Sequence, residues 1–381
     1  MKVIVVGCGN IGSVAAEDLA RNMKSTEVVL TDNDEKRAKA VAQKIGLANV
    51  SWMKLDAANS AGTVHALKDF DLALGFLPGK LGYGLAEACI DAGKDLVDVS
   101  FMAENPLALD KKAAKAGVTV VPDCGLAPGI SNVLAGHAVA VLDKVKSAHI
   151  MVGGLPEKPI PPLDYVITWS PESLIDEYTR TARIVEKGKQ TDVEVLSGIE
   201  EVDFPGIGKL EAFFTDGLRT LIDTIEGEEM WEKTIRYSGH AEKVKVLKDL
   251  GFFGEKQVSI DDAKISPRRL AAKLLAEKLW RPDIRDVVAL RVEVSGIKNG
   301  KSLRYVYHLL DRFDKKRGIT SMARTTAYPA SIVAQMMLKG AIKEKGVVPP
   351  ERLGMNDKLF KMFMEGLKQH GIEVSEKKTA G

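Results

Sequence analysis

Residues 2–32 read KVIVVGCGNIGSVAAEDLARNMKSTEVVLTD, and this stretch decides the fold. The apolar run 3–6 is rich in β-branched residues, as expected of a strand buried on both faces. Gly7, Gly9 and Gly12 follow in the spacing G-x-G-x-x-G. Residues 13–23 have helical character, and a second apolar run, 28–30, ends in Thr31-Asp32. Strand, glycine turn, helix, strand and acid stand in the order of a dinucleotide-binding βαβ unit. Gly7 allows the tight turn, Gly9 lets backbone approach a pyrophosphate, and Gly12 lets helix and strand pack closely. Asn10 and Ile11, between the second and third glycines, are further candidates for cofactor contact, and the N–H groups at the helix start face the phosphates. Asp32, twenty residues after Gly12, is placed to accept from the ribose hydroxyls and to repel a 2′-phosphate. That favours NAD over NADP, although Lys36 and Arg37 lie close by.

Outward from this unit, strand and helix alternate. Strands are expected at 49–54, 71–76, 94–98 and 118–121, with helices at 82–92 and 106–116. The pattern predicts an α/β fold with a doubly wound parallel Rossmann sheet. Ligands of such sheets bind at the carboxyl ends of the strands. The residues there are the glycine turn, Asp32, Asp56, Leu77-Pro78, Asp98, Ser100-Phe101 and Asp123 with the loop from Gly125 through Ala127 to Gly129.

After Pro128-Gly129 a helix is expected at 130–142, and then the periodicity changes. Strands are expected at 148–152, 165–169, 209–214, 287–294 and 303–310, the last two joined through Asn299-Gly300, a strong hairpin signal. Helices are expected at 172–186, 217–225, 240–250 and 267–279. This predicts a second, mixed α/β substrate domain with a largely antiparallel sheet. The expected division is 1–129 for the NAD-binding domain, 130–324 for the substrate and oligomerisation domain, and 346–381 for a C-terminal helix and tail. A helix near 325–345, entered through Pro329, is expected to pack back on the first domain. Residues 356–370 read as an amphipathic helix and the tail from Glu373 as frayed.

The 381 residues are 45% apolar and 28% charged, with a formal charge of +2. Such a chain has no electrostatic case for binding nucleic acid. No apolar run is long enough to span a membrane. Cys8, Cys89 and Cys124 are scattered and the six histidines have no ligand spacing, so no disulfide framework and no metal site is expected. A reducing cytoplasm fits this cysteine usage.

Several stretches together carry a resemblance: DVSF at 98–101, GLAPG at 125–129, GGLP at 153–156 and TTA at 325–327. With the first domain, they resemble the saccharopine dehydrogenase-like oxidoreductases. PPLDYVITWSPESLIDEYTR, KLEAFFTDGLRTL and TIRYSGHAEKVKVLKDLGFF are most similar to the lysine 6-dehydrogenase branch. Saccharopine-forming reductases carry an acid where this chain has Ala127 and a cysteine where it has Val152. The resemblance therefore implies NAD-dependent oxidation of the ε-amine of L-lysine, with release of ammonia and of 2-aminoadipate 6-semialdehyde, which cyclises to a piperideine carboxylate. The rival within the family is a secondary-amine dehydrogenase of the saccharopine or carboxynorspermidine type. A non-enzymatic NAD-binding redox sensor is the remote one. Relatives are oligomeric, and a homo-oligomer is expected.

Hydride can leave Cε only from a neutral amine, and free lysine amine has a pKa of about 10.4, so the site must remove a proton. Asp123 is the candidate base, or else a cap and loop brace. His240 is the candidate proton shuttle, with a pKa near working pH, or else a helix cap. Arg236 is the candidate for the substrate carboxylate, with a salt bridge as the alternative. Trp169 would wall the aliphatic stem or fill a core. Glu211 and Asp216 would hold the α-ammonium or stay solvated. Thr326, with Thr325, would touch ligand or cap the last buried helix.

Overall fold

The computed structural model describes residues 1–281 and 284–380. They form two compact units, Met1–Val141 with Ala323–Ile372, and Leu142–Met322 with Glu373–Gly381. Residues 130–141 and 346–372, which the sequence reading sets in other segments, thus fall in the first unit.

The first unit alternates β1 (Lys2–Val6), α1 (Asn10–Asn22), β2 (Glu27–Asp32), α2 (Glu35–Ile45), β3 (Val50–Lys54), α3 (Ser60–Leu67), β4 (Leu72–Gly75), α4 (Gly79–Ala92), β5 (Asp95–Asp98), α5 (Asp110–Ala116), β6 (Thr119–Val121) and α6 (Ile130–Val141). All pairings in its sheet are parallel, in the order β6-β5-β4-β1-β2-β3. The order reverses between β1 and β4, which opens the ligand crevice at their carboxyl ends. Val3–Val6 of β1 and Leu72–Gly75 of β4, at the centre of the sheet, are apolar and buried because helices cover both faces. A seventh strand that the sequence reading missed, Gly346–Val347, pairs with β6. At two residues it has no periodicity to detect.

The second unit is built on a nine-stranded sheet. Its centre is Lys144–Pro156, flanked in parallel by Gly227–Arg236 and antiparallel by Asp286–Lys298. Asp286–Lys298 turns through Asn299-Gly300, both left-handed (φ 51° and 75°), into Lys301–Arg312.

Five local expectations fail, each for a tertiary reason. Residues 165–169 form no strand; they are a loop pinned by side chains, with Trp169 Nε1 donating to the Tyr165 hydroxyl at 3.0 Å. The helix expected at 172–186 ends early, at Pro171–Thr179, and Ala182–Glu186 pairs as a strand with Gly227–Arg236. Only Leu221–Thr224 is helical in 217–225, where the left-handed Arg219 (φ 53°) interrupts the run. Pro329 does not open the last long helix; it lies inside Ser321–Leu338. That helix starts where Asp286 accepts the N–H groups of Ser321 (2.6 Å) and Met322 (2.8 Å). The tail is not frayed: Val374–Ala380 extends the second sheet by pairing with Lys301–Arg312.

Candidate functional site

In the first unit, the glycines of the β1–α1 turn divide by cause. Gly7 is left-handed (φ 94°), and a Cβ on it would lie 2.5 Å from the Phe76 carbonyl oxygen. A Cβ on Gly12 would lie 2.0 Å from the Gly7 carbonyl oxygen. Packing therefore requires both. A Cβ on Gly9 would meet nothing within 4 Å. Gly9 also precedes α1, whose N-terminus carries no side-chain cap, with Asn10 exposed and Ile11 half-buried in its first turn. Open space at Gly9 beside uncapped helix N–H groups fits a pyrophosphate, and the residues present fit a dinucleotide.

At the end of β2, the Asp32 carboxylate is pre-oriented. It accepts the backbone N–H of Cys8 (3.3 Å) and of Asp34 (3.0 Å), and the Cys8 thiol at 3.4 Å. Burial and the Asp32 charge push that thiol up to about 12, so it stays a donor. The exposed Arg37 guanidinium lies 3.9 Å from Asp32. Asp56, after β3, is exposed and accepts the Ala58 N–H at 3.0 Å, bracing its own turn. Leu77 and Pro78 lead half-buried into α4, and the Phe101 carbonyl oxygen packs 2.2 Å from where a Cβ on Gly79 would stand.

Past the crevice, β5 ends in Asp98, which is fully buried. It accepts the Ser100 N–H at 2.7 Å and the Ser100 hydroxyl at 3.0 Å. Burial raises its carboxyl to about 7 against those bonds, and the charge of Asp123 adds to the rise. Asp123 itself is buried and left-handed (φ 52°), just after β6. The sheet edge thus carries two mutually sensed carboxylates in an apolar setting, an arrangement that attracts a cation and can take up its proton. The loop Gly125–Gly129 follows, with Ala127 half-buried and the Thr326 methyl 3.2 Å from where a Cβ on Gly125 would be. Thr325 and Thr326 lie within Ser321–Leu338 and so do not cap it.

Two residues that sequence reasoning missed hold this loop. Asn132 accepts the Gly129 N–H at 3.2 Å and donates to Glu351 at 3.1 Å; both side chains are fully buried. An acid set among the apolar residues of VVPPERLG was the available signal for Glu351.

In the second unit, the candidates already have protein partners. Arg236 is buried, donates to Glu177 at 2.7 Å and stacks 4.8 Å from the Tyr165 ring. Burial opposes its charge, but Glu177 and two tyrosines outweigh it and raise the guanidinium further. It is not the surface salt bridge considered as its alternative. His240 is fully buried between the Tyr178 hydroxyl (2.9 Å) and the Leu163 carbonyl (2.7 Å). Burial and Arg236 lower it to about 3, so its expected pKa near working pH is corrected: it is neutral there. Nor does it cap its helix by side chain; Glu211 does this, accepting the N–H groups of Gly239 (2.7 Å) and Ala241 (2.6 Å). Asp216 is buried and gripped by Arg183 at 2.9 and 3.2 Å. Trp169 packs half-buried against the core cluster that includes Tyr165 and Tyr178. Sequence reasoning missed Glu232, which burial raises to about 8 while the Thr215 hydroxyl donates to it at 2.6 Å. Among the described residues no cluster of His, Cys, Asp and Glu could hold a metal, and no helix is long and apolar enough to cross a membrane.

Comparison with known proteins agrees with this geometry. Residues 3–121 match the saccharopine dehydrogenase NADP binding domain, and residues 125–372 match the saccharopine dehydrogenase C-terminal domain. The carboxyaminopropylagmatine dehydrogenase of Synechocystis sp. is 25% identical over 97% of each chain. The saccharopine dehydrogenase (NADP(+), L-glutamate-forming) of Saccharomyces cerevisiae is also 25% identical, over 99% of each chain. The structure of an apo saccharopine dehydrogenase (L-Glu forming) from the same yeast shares the fold over all of both chains, with a TM-score of 0.80 at 22% identity. The cradle at the β1–α1 turn, the two family matches and this common fold place the chain in the saccharopine dehydrogenase-like family, as an oxidoreductase that uses a nicotinamide dinucleotide.

Proposed function

We propose that this enzyme oxidises the ε-amine of L-lysine with NAD, releasing ammonia and 2-aminoadipate 6-semialdehyde. The observation that carries the reading is the buried pair Asp98–Asp123 at the carboxyl edge of the sheet, followed by a loop that bears Ala127 instead of an acid. A paired acidic edge attracts a free ammonium group. The small apolar Ala127 and the apolar Val152 give a second carboxylated chain, such as saccharopine has, no polar group to bind.

In this reading Asp123 orients the amine and removes one proton from it, leaving a lone pair on nitrogen. Asp98, held by Ser100 and raised by burial toward neutrality, leaves Asp123 as the acceptor of that proton. When bound, the nicotinamide supplies the acceptor for the Cε hydride. Once that proton has passed to solvent, the same carboxylate takes a proton from the water that adds to the iminium carbon and returns it to nitrogen, and ammonia leaves as the new hydroxyl gives its proton to solvent. Arg236 is held by Glu177 through one guanidinium nitrogen, while its buried Nε has no protein partner. The Asp32 carboxylate favours the 2′-hydroxyl of NAD, with Arg37 as the counterweight.

The test is formation of reduced nucleotide from lysine with no oxo acid present, run in parallel with NAD and NADP. Turnover with lysine alone, at least about tenfold better in kcat/KM with NAD, is the expected result. Reaction only when a semialdehyde or oxo acid is supplied with a primary amine would overturn it in favour of a secondary-amine dehydrogenase.

A further inference from the structure

Asp32 is the group this chain offers to the ribose of a dinucleotide, and most of its carboxylate is taken by the chain itself. A carboxylate has about four lone-pair positions, two on each oxygen. Oδ2 accepts both the backbone N–H of Cys8 (3.3 Å) and the Cys8 thiol (3.4 Å), and Oδ1 accepts the N–H of Asp34 (3.0 Å). Among the described residues no further hydrogen bond reaches this carboxylate; the Arg37 guanidinium stands 3.9 Å from Oδ2. Oδ2 is thus saturated by Cys8, and Oδ1 keeps one position open. Two ribose hydroxyls that donate to the same carboxylate need two positions.

The donors are not equally fixed. The two N–H groups belong to backbone that the fold sets. The turn before Cys8 is held by Gly7, left-handed at φ 94°, which donates to the Thr31 carbonyl at 2.9 Å. Asp34 caps α2 by accepting the N–H groups of Lys36 (3.0 Å) and Arg37 (3.3 Å). The thiol hydrogen alone turns, about the Cβ–Sγ bond, and a thiol is a weak donor. Burial and the charge of Asp32 keep that hydrogen on sulfur. We propose that the Cys8 thiol is a displaceable donor in the ribose site: it satisfies Asp32 in the cofactor-free enzyme and yields Oδ2 to a ribose hydroxyl when NAD binds. Cys8 is thereby a positioning residue that sets cofactor choice through Asp32, an inference that rests on Asp32 reading the ribose of NAD. A residue with no donor would leave a buried acceptor position unmet without cofactor. A serine hydroxyl bonds a carboxylate more strongly and would yield less readily. NADP gains little from the exchange, because its 2′-phosphate meets the carboxylate as a like charge.

The experiment measures Kd for NAD and for NADP by calorimetry on the full-length enzyme as wild type, Cys8→Ala and Cys8→Ser. Cys8→Ala frees a position on Oδ2 and is expected to tighten NAD about fivefold while NADP stays within about twofold, so the preference for NAD rises. Cys8→Ser keeps a donor on Oδ2 and is expected to hold that preference at or below the wild-type value. Damage to the fold would weaken both nucleotides in both variants, and would not move alanine and serine apart. If Cys8→Ala does not fold, Cys8→Val, which also lacks a donor, is read in its place. No tightening of NAD in the variant without a donor overturns the proposal. So does an equal tightening of NADP, or a rise in preference with Cys8→Ser as large as with Cys8→Ala. The nucleotide that wild type prefers, and whether lysine alone reduces it, decide the proposed function; the change between variants decides the role of Cys8.

Discussion

The β1–α1 turn and the cluster around Arg236 are both built from residue types that suggest ligand binding, and they differ in what the protein itself explains. In the turn, packing accounts for Gly7 and Gly12, but nothing within 4 Å accounts for the missing side chain of Gly9. Around Arg236, each candidate has an internal partner: Glu177 for the arginine, a helix N-terminus for Glu211, Arg183 for Asp216. A residue left over by the fold points to something outside the chain. A residue the fold consumes does not, however suggestive its chemistry.

The largest expected effect attacks the consumed side. Glu177→Ala leaves the Arg236 charge buried and without its ion-pair partner, and should cost about 3–5 kcal/mol in denaturant unfolding. A loss below about 1 kcal/mol would show that Arg236 reaches solvent or ligand, and would move it to the other side of the comparison. Next come the glycines. Gly12→Ala should destabilise by about 1–3 kcal/mol, because a backbone oxygen must give way. Gly9→Ala should leave the unfolding midpoint unchanged and weaken NAD binding by at least about tenfold by calorimetry, roughly 1.4 kcal/mol. Equal effects of the two would erase the distinction.

A pH-dependent effect concerns Asp98, which stands between these extremes. Its folded pKa of about 7 lies above the ordinary 3.8, so the folded state holds a proton that the unfolded state has lost. Its stabilising contribution is complete below the unfolded value and is lost as pH rises through the folded one. Asp98→Asn should therefore flatten stability between about pH 4 and pH 7 relative to wild type, measured by denaturant titrations at stepped pH. An unchanged slope would mean that the group stays ionised in the crevice.

The same contrast explains what could be read from residues alone. The first six strands, the glycine turn and the Asn299-Gly300 hairpin rest on local periodicity and on backbone conformations that few residues tolerate, and these are visible in a single chain. What escaped depends on partners remote in sequence. Glu351 reaches Asn132 across 219 positions, Glu177 meets Arg236 across 59, and Asp286 starts a helix 35 residues later. Pro329 misled for this reason: a local signal for a helix start was overridden by a carboxylate brought in by a distant strand. Asp123 is legible as an acid at a strand end, and it is buried there. Its neighbour Asp98, read only for cofactor contact, became interesting once their mutual influence was seen.

The strand Gly346–Val347 has a consequence for biosynthesis. Thr119 at the rim of β6 bonds to Glu344 across 225 positions, so the outer edge of β6 has no partner when it leaves the ribosome. At ordinary elongation rates, roughly ten to forty-five seconds pass before that partner is made. During this interval a short, apolar edge is exposed to other nascent chains, so the protein's yield in a crowded cell should depend on chaperone supply more than its final stability would suggest.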